Sequence, residues 1–205
     1  MILGTHNSAT NENLVWWQKP FKWLSNLTSK CQSLSIEEQY NNNVRVFNFQ
    51  VCYYKKEWYI SHGLFIYDVK LLDLLKYLKD KSSSNDIIYF QLYLDKNFII
   101  KQNEEEFKVL LELIKINYLN NGLKLLIAWV EGKNDGILYR GNININLKEY
   151  YWTTSWANKY AKNILDKLPL PKRWAKRNNN KVVLDLNTKY LMLDFVEFYD
   201  RFNNK

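Results

Sequence analysis

Histidine and cysteine are both scarce in this chain, two of each among 205 residues. Cys31 and Cys52 are too few for a disulfide framework, and neither has a metal-ligating neighbour in the sequence, so both read as small buried thiols. Six glycines and three prolines exclude collagen-like and low-complexity chains. No stretch approaches the roughly 20 apolar residues that span a bilayer. The first residues lack a basic flank followed by an apolar core, so no signal peptide is expected. The expected setting is therefore cytoplasmic, or wherever a partner carries the chain.

What remains is enough for one ordinary core. Hydrophobic residues make up 47% and aromatics 16% of the chain, and the length suits a single domain over 1–205. The formal net charge is +8. A basic surface attracts phosphate on lipid headgroups, nucleic acid or small metabolites without choosing among them. The stretches Trp16-Trp-Gln-Lys-Pro-Phe-Lys-Trp23 and Leu168-Pro-Leu-Pro-Lys-Arg-Trp-Ala-Lys-Arg177 mix tryptophan with cations. That mixture suits a membrane interface, making Trp16, Trp17 and Trp174 the expected peripheral contacts. Helical spacing equally fits Trp16, Trp17 and Trp23 to a core. Neither stretch carries a recognised nucleic-acid motif, so nucleic acid is not an expected partner.

Hydrophobic periodicity places the elements. Val44–Cys52 alternates as a strand, with Val44, Val46, Asn48 and Gln50 on one face and Arg45, Phe47 and Phe49 on the other. Glu57–Ser61 reads as a second, short strand. Val69–Lys81 has leucines 71, 72, 75 and 78 at helical spacing and runs out into Ser-Ser-Ser-Asn. Ile87–Leu94 and Leu123–Val130 are apolar runs of the kind buried in parallel sheets. Glu104–Asn117 is a helix with acidic residues in its first turn, and Tyr190–Val196 is the last strand. Lys133–Asn146, rich in Gly and Asn, reads as surface excursions. Strands alternating with helices predict a mostly parallel α/β fold, a compact (β/α) barrel of the TIM type. No glycine-rich phosphate loop follows any strand, against the open doubly wound alternative.

In such a barrel the strand ends share one mouth. His6 follows a short apolar start, and His62 ends the strand Trp58-Tyr-Ile-Ser-His-Gly. Two imidazoles at two strand ends fit general acid–base chemistry, one taking a proton and the other giving one. Unrelated histidines capping loops are the alternative.

The order of motifs resembles a known family. Gly4-Thr-His-Asn-Ser8 is similar to the opening motif of the X domain of phosphatidylinositol-specific phospholipases C. Cys31-Gln-Ser-Leu-Ser-Ile-Glu-Glu-Gln39, then Val44-Arg-Val-Phe-Asn-Phe-Gln50, resemble its next helix and strand, and Ser61-His-Gly-Leu64 its second histidine motif. Leu193-Asp-Phe-Val196 fits in order near the end. The chain looks most like short versions from gut bacteria and phages, which adds association with a phage particle to the expected settings.

The resemblance implies a distorted, compact TIM-type barrel that cleaves a phosphodiester bearing a neighbouring hydroxyl. His6 would remove the hydroxyl proton, His62 would protonate the leaving oxygen, and Asp194 would orient one imidazole. A phosphoinositide-like ligand would meet Asn7, Arg45, Asn48 and Gln50, together with Lys159 and Tyr160 of a weaker match at Asn158-Lys-Tyr160. The chain departs from both forms of the family pattern. Asn48 and Gln50 stand where a calcium site needs carboxylates, so no Ca²⁺ or other cofactor is expected. Gln50 also stands where metal-free members carry arginine. A working enzyme would then draw its cation from elsewhere, Lys159 or Arg140. The alternative is a catalytically degenerate member kept as a binding or structural module.

Overall fold

In a computed structural model, residues 1–94, 104–130, 137–140, 150–153, 170–181 and 186–199 are described. Nine strands form one sheet, with β1 (Ile2–Thr5), β2 (Val46–Tyr54), β3 (Glu57–His62), β4 (Phe65–Lys70) and β5 (Ile88–Leu94) followed by β6 (Leu123–Val130), β7 (Ile137–Arg140), β8 (Tyr150–Thr153) and β9 (Tyr190–Leu193). The main path runs β7-β6-β5-β2-β1-β9-β8, and β3 and β4 branch from β2. Five pairings are parallel, β1 with β2 and β9, β5 with β2 and β6, and β8 with β9. The fold is mixed α/β with a curled sheet, a distorted and compact barrel.

The helices are α1 (Lys22–Thr28), α2 (Ile36–Asn41), α3 (Leu71–Lys81), α4 (Glu104–Asn117) and α5 (Pro171–Asn178). Leu71, Leu75 and Leu78 of α3, and Phe107, Leu110, Leu111 and Ile114 of α4, are buried in the same core as Phe47, Phe49, Phe90 and Leu92 of the sheet. Those positions are the apolar stripe that a 3.6-residue period puts on one helix face. Ser35 and Glu38 cap α2 reciprocally, each side chain bonding the other's backbone N–H.

β1 must lie tightly between β2 and β9. A Cβ on Gly4 would come within 2.8 Å of Val46 Cβ and would also collide with Met192, so only glycine fits there. The parallel registers set Thr5 beside both Phe47 and Leu193, which makes His6 and Asp194 the next residues of neighbouring strands.

Several elements differ from the sequence reading. Phe65–Lys70 is a strand pairing back on β3, so the helix starts at Leu71 rather than Val69. Ile137–Arg140 pairs antiparallel with β6, and Tyr150–Thr153 pairs with β9; sheet pairing overrides weak local patterning in both. β3 is antiparallel to β2. His62 therefore reaches the mouth on the returning arm of a hairpin, two residues beyond the Ile60–Val51 pair, and not at the forward end of a parallel strand.

Candidate active site

His6 leaves β1 and is buried, with Nδ1 2.8 Å from Asp194 Oδ1. The carboxylate accepts from Nδ1–H, which leaves Nε2 with its lone pair towards the cavity. Nε2 meets the Asn7 amide nitrogen at 3.2 Å and the Tyr93 hydroxyl at 3.3 Å, which also lies 3.4 Å from Asn7 Oδ1. The Asn7 amide can donate to Nε2, which fits the same tautomer, while the Tyr93 hydroxyl donates to Asn7 Oδ1.

The two dyad members share an unusual setting. Asn7 and Phe195, each the residue after one of them, hold left-handed backbone at φ 46° and 44°. Asparagine tolerates that region, whereas a bulky aromatic seldom enters it, and such strain concentrates at functional sites. Hydrogen bonds enforce the turns. The Gln32 amide donates to the carbonyls of His6 and Leu193, and Phe195 N–H donates to the Cys31 carbonyl. From α2, Gln39 donates to the Ser8 carbonyl and accepts from the Thr5 hydroxyl.

His62 is half-buried opposite. Its Nδ1 lies 2.7 Å from the Ser29 carbonyl and 3.7 Å from Cys31 Sγ. Donation to that carbonyl fixes the ring and turns Nε2 the other way. The two imidazole centroids are 6.1 Å apart at 83°, close enough to bracket one phosphate.

The floor is neutral. Asn48 Oδ1 accepts from Asn7 N–H, and its amide nitrogen donates to Gln91 Oε1 on β5. Gln50, two residues along β2, shares that face and pairs in register with Tyr93. Its Oε1 is buried and without a hydrogen-bond partner, a cost of about 1–3 kcal/mol unless a donor arrives from a ligand. Cys31 lies between the histidines, fully buried. Burial foremost, and then the Asp194 charge, push its thiol well above the ordinary range, with Asn7 acting the other way. The sulfur is held as a thiol and is no nucleophile.

His6, His62, Asp194, Asn7, Asn48 and Gln50 thus converge. Arg45 does not: it precedes β2, at the opposite end of the strand, where Nε donates to Asp86 at 2.7 Å and the guanidinium stacks on Tyr40. A charged group on the other face of the strand, with a partner near by, has no path to the mouth. Lys159 and Tyr160 lie outside the described residues, as does the side chain of Arg140. Of the tryptophans, Trp16 and Trp23 are 70% and 67% exposed and Trp17 is half-buried, but Trp174 is 6% exposed in α5 and is no surface contact. Its helix is amphipathic, with Trp174 and Ala175 inward and the cations outward.

Sequence reasoning missed Tyr93, Gln91, Gln32 and Cys31. Gln91 and Tyr93 interrupt an apolar strand two residues apart, the same spacing as Asn48 and Gln50, and that was a usable signal. Nothing local marks Cys31, whose neighbours come from three other segments.

No protein-family model matches the chain, and no match to a curated protein was found. The fold is similar to solved bacterial phosphatidylinositol-specific phospholipases C. That of Listeria monocytogenes superposes with a TM-score of 0.62 over 100% of this chain and 92% of the other, at 16% identity. Two variant forms of the Staphylococcus aureus protein give 0.59 and 0.57 at 13% and 12% identity, each covering 95% of this chain and 85% of the other. At such identity the likeness establishes the fold. No helix among the described residues is long and apolar enough to cross a membrane.

Proposed function

We propose that this chain is a phospholipase C-type phosphodiesterase of the short X-domain-like kind, acting on a phosphodiester with a neighbouring hydroxyl, as in phosphatidylinositol. The carrying observation is the pair of edge-to-face imidazoles, with centroids 6.1 Å apart, one of them oriented by a buried carboxylate at 2.8 Å. His6 Nε2 takes the hydroxyl proton as that oxygen attacks phosphorus. Asp194 stabilises the imidazolium that results. His62, protonated, gives its Nε2 proton to the leaving oxygen, and a cyclic phosphodiester forms. In a second step water opens the ring with the two roles exchanged.

The amides of Asn7, Asn48 and Gln50 and the Tyr93 hydroxyl bind phosphate oxygens or ring hydroxyls. Lys159 and Tyr160 are further ligand-binding residues by resemblance. Calcium has no part, because three amides supply none of the carboxylates a calcium site of useful affinity carries. Lys30, between Ser29 and Cys31, is a further source of positive charge. Burial first, and then the like charges of Lys22 and Lys172, lower its pKa, and such a cluster attracts a phosphate. Exposed Trp16 and Trp23, with Lys19 and Lys22 beside them, suit a lipid headgroup layer. The setting is cytoplasmic or a phage particle.

A second reading, a degenerate binding module, draws support from the neutral floor, where among the described residues amides stand at positions 48 and 50 and no arginine lies beside them. Phosphatidylinositol vesicles and a soluble inositol cyclic phosphate separate the two. Turnover lost in His6→Ala and in His62→Ala supports the enzyme. Binding of the cyclic phosphate without turnover supports the module.

A further inference from the structure

One group in the pocket has no part in the acid–base reaction. Cys31 is held as a thiol between two imidazoles and a carboxylate, a set of donors that suits a soft or borderline cation far better than a hard one. A ring nitrogen of His6, Cys31 Sγ and an oxygen of Asp194 all lie within 4.8 Å of one another, and all three residues are buried. Tetrahedral zinc, with bonds of about 2.0–2.3 Å, needs ligand separations of about 3.3–3.6 Å, so Nδ1 and the Asp194 oxygen must part by about half an ångström while Cys31 Sγ closes by about an ångström at most.

We propose that this pocket binds Zn²⁺ through His6 Nδ1, Cys31 Sγ and an Asp194 carboxylate oxygen, with water at the fourth corner. The ion takes the place of the proton that Nδ1 and Asp194 Oδ1 now share across 2.8 Å. The His6 proton moves from Nδ1 to Nε2, the Cys31 thiol proton passes to solvent, and all three bonds from the protein to zinc use lone pairs of His6, Cys31 and Asp194. No oxidation occurs. Once Nε2 carries the proton it cannot take another, so the zinc form is a resting form of the proposed phosphodiesterase. Zinc binding itself stands apart from that activity. It needs the cysteine, which the acid–base reaction does not use.

The experiment uses the intact chain, purified free of metal. Zinc is titrated by calorimetry, and cobalt(II) is added as a spectroscopic probe whose charge-transfer absorption reports a thiolate ligand. The expected result is one ion per chain, a thiolate band in the unaltered protein and in Cys52→Ser, and no band in Cys31→Ser. Zinc affinity should fall at least about 100-fold in Cys31→Ser, the upper end of what losing an outer partner already costs. A thermal melt checks that each variant folds. The proposal is overturned if the unaltered protein gives no thiolate band, if the band survives in Cys31→Ser, or if it disappears in folded Cys52→Ser. Should Cys31→Ser not fold, the unaltered chain and Cys52→Ser decide the matter by themselves. Absence of zinc binding leaves the phosphodiesterase reading standing, because that reading is decided separately, by turnover of the unaltered chain and its loss in His6→Ala and His62→Ala.

Discussion

The start and the middle of β2 show opposite uses of polar side chains. At the start, Arg45 meets Asp86 at 2.7 Å, donates to the Tyr40 carbonyl and stacks on its ring. Every charge there has a partner within the chain. Three and five residues further on, Asn48 and Gln50 are buried and uncharged, facing a pair of imidazoles, and one amide oxygen has no partner. The first end is complete without a ligand and serves stability. The second carries unmet hydrogen-bonding capacity in a dry setting, which is what a ligand site pays in stability.

The largest way to break this contrast is to remove the base. His6→Ala should lower phosphodiester cleavage by about 10²–10⁴-fold, as read by vesicle assays, while a thermal melt shows a variant that still folds but melts lower, because the buried Asp194 carboxylate loses its partner. Next, the neutral end can be given the charge it lacks. Asn48→Asp with Gln50→Arg should raise cleavage by about 10²-fold if one electrostatic donor is gained, and His6→Ala in that background should remove the gain. A silent but folded double variant favours the binding-module reading. At the other end, Arg45→Ala should cost about 1 kcal/mol or less in urea unfolding, since both partners are partly in water, and change cleavage less than about twofold.

The smallest effect is a pH dependence of that same pair. Burial tends to raise the Asp86 pKa, but the Tyr40 hydroxyl and Arg45 outweigh it and hold the carboxyl below its ordinary 3.8. A depressed carboxylate contributes stability above its unfolded pKa and loses it as pH falls through the folded one. The difference between Arg45→Ala and the unaltered chain should therefore be constant from neutrality to about pH 5 and shrink below about pH 4, by a fraction of a kcal/mol.

Much of this was legible in the sequence where one period dominates. The α4 and β6 boundaries, Glu104–Asn117 and Leu123–Val130, agree with periodicity to the residue. The face shared by Asn48 and Gln50 follows from strand alternation, and His6, His62 and Asp194 from motif order. The failures are cases where distant pairing decides. β7 and β8 are four-residue strands stabilised by neighbours. Arg45 sits close in sequence to the site but on the strand's other face and at its other end. Cys31 acquires its surroundings from residues 6, 62 and 194, which no local window joins.

The dyad spans 188 positions, because β1 pairs with β9. Contacts of such separation are expensive in loop entropy and form late. His6 follows β1, yet it meets Asp194 only once β9 has paired with that strand. The dyad therefore reports on pairing between distant segments: a chain truncated before Tyr190 keeps both histidines but lacks Asp194 and the strand that delivers it.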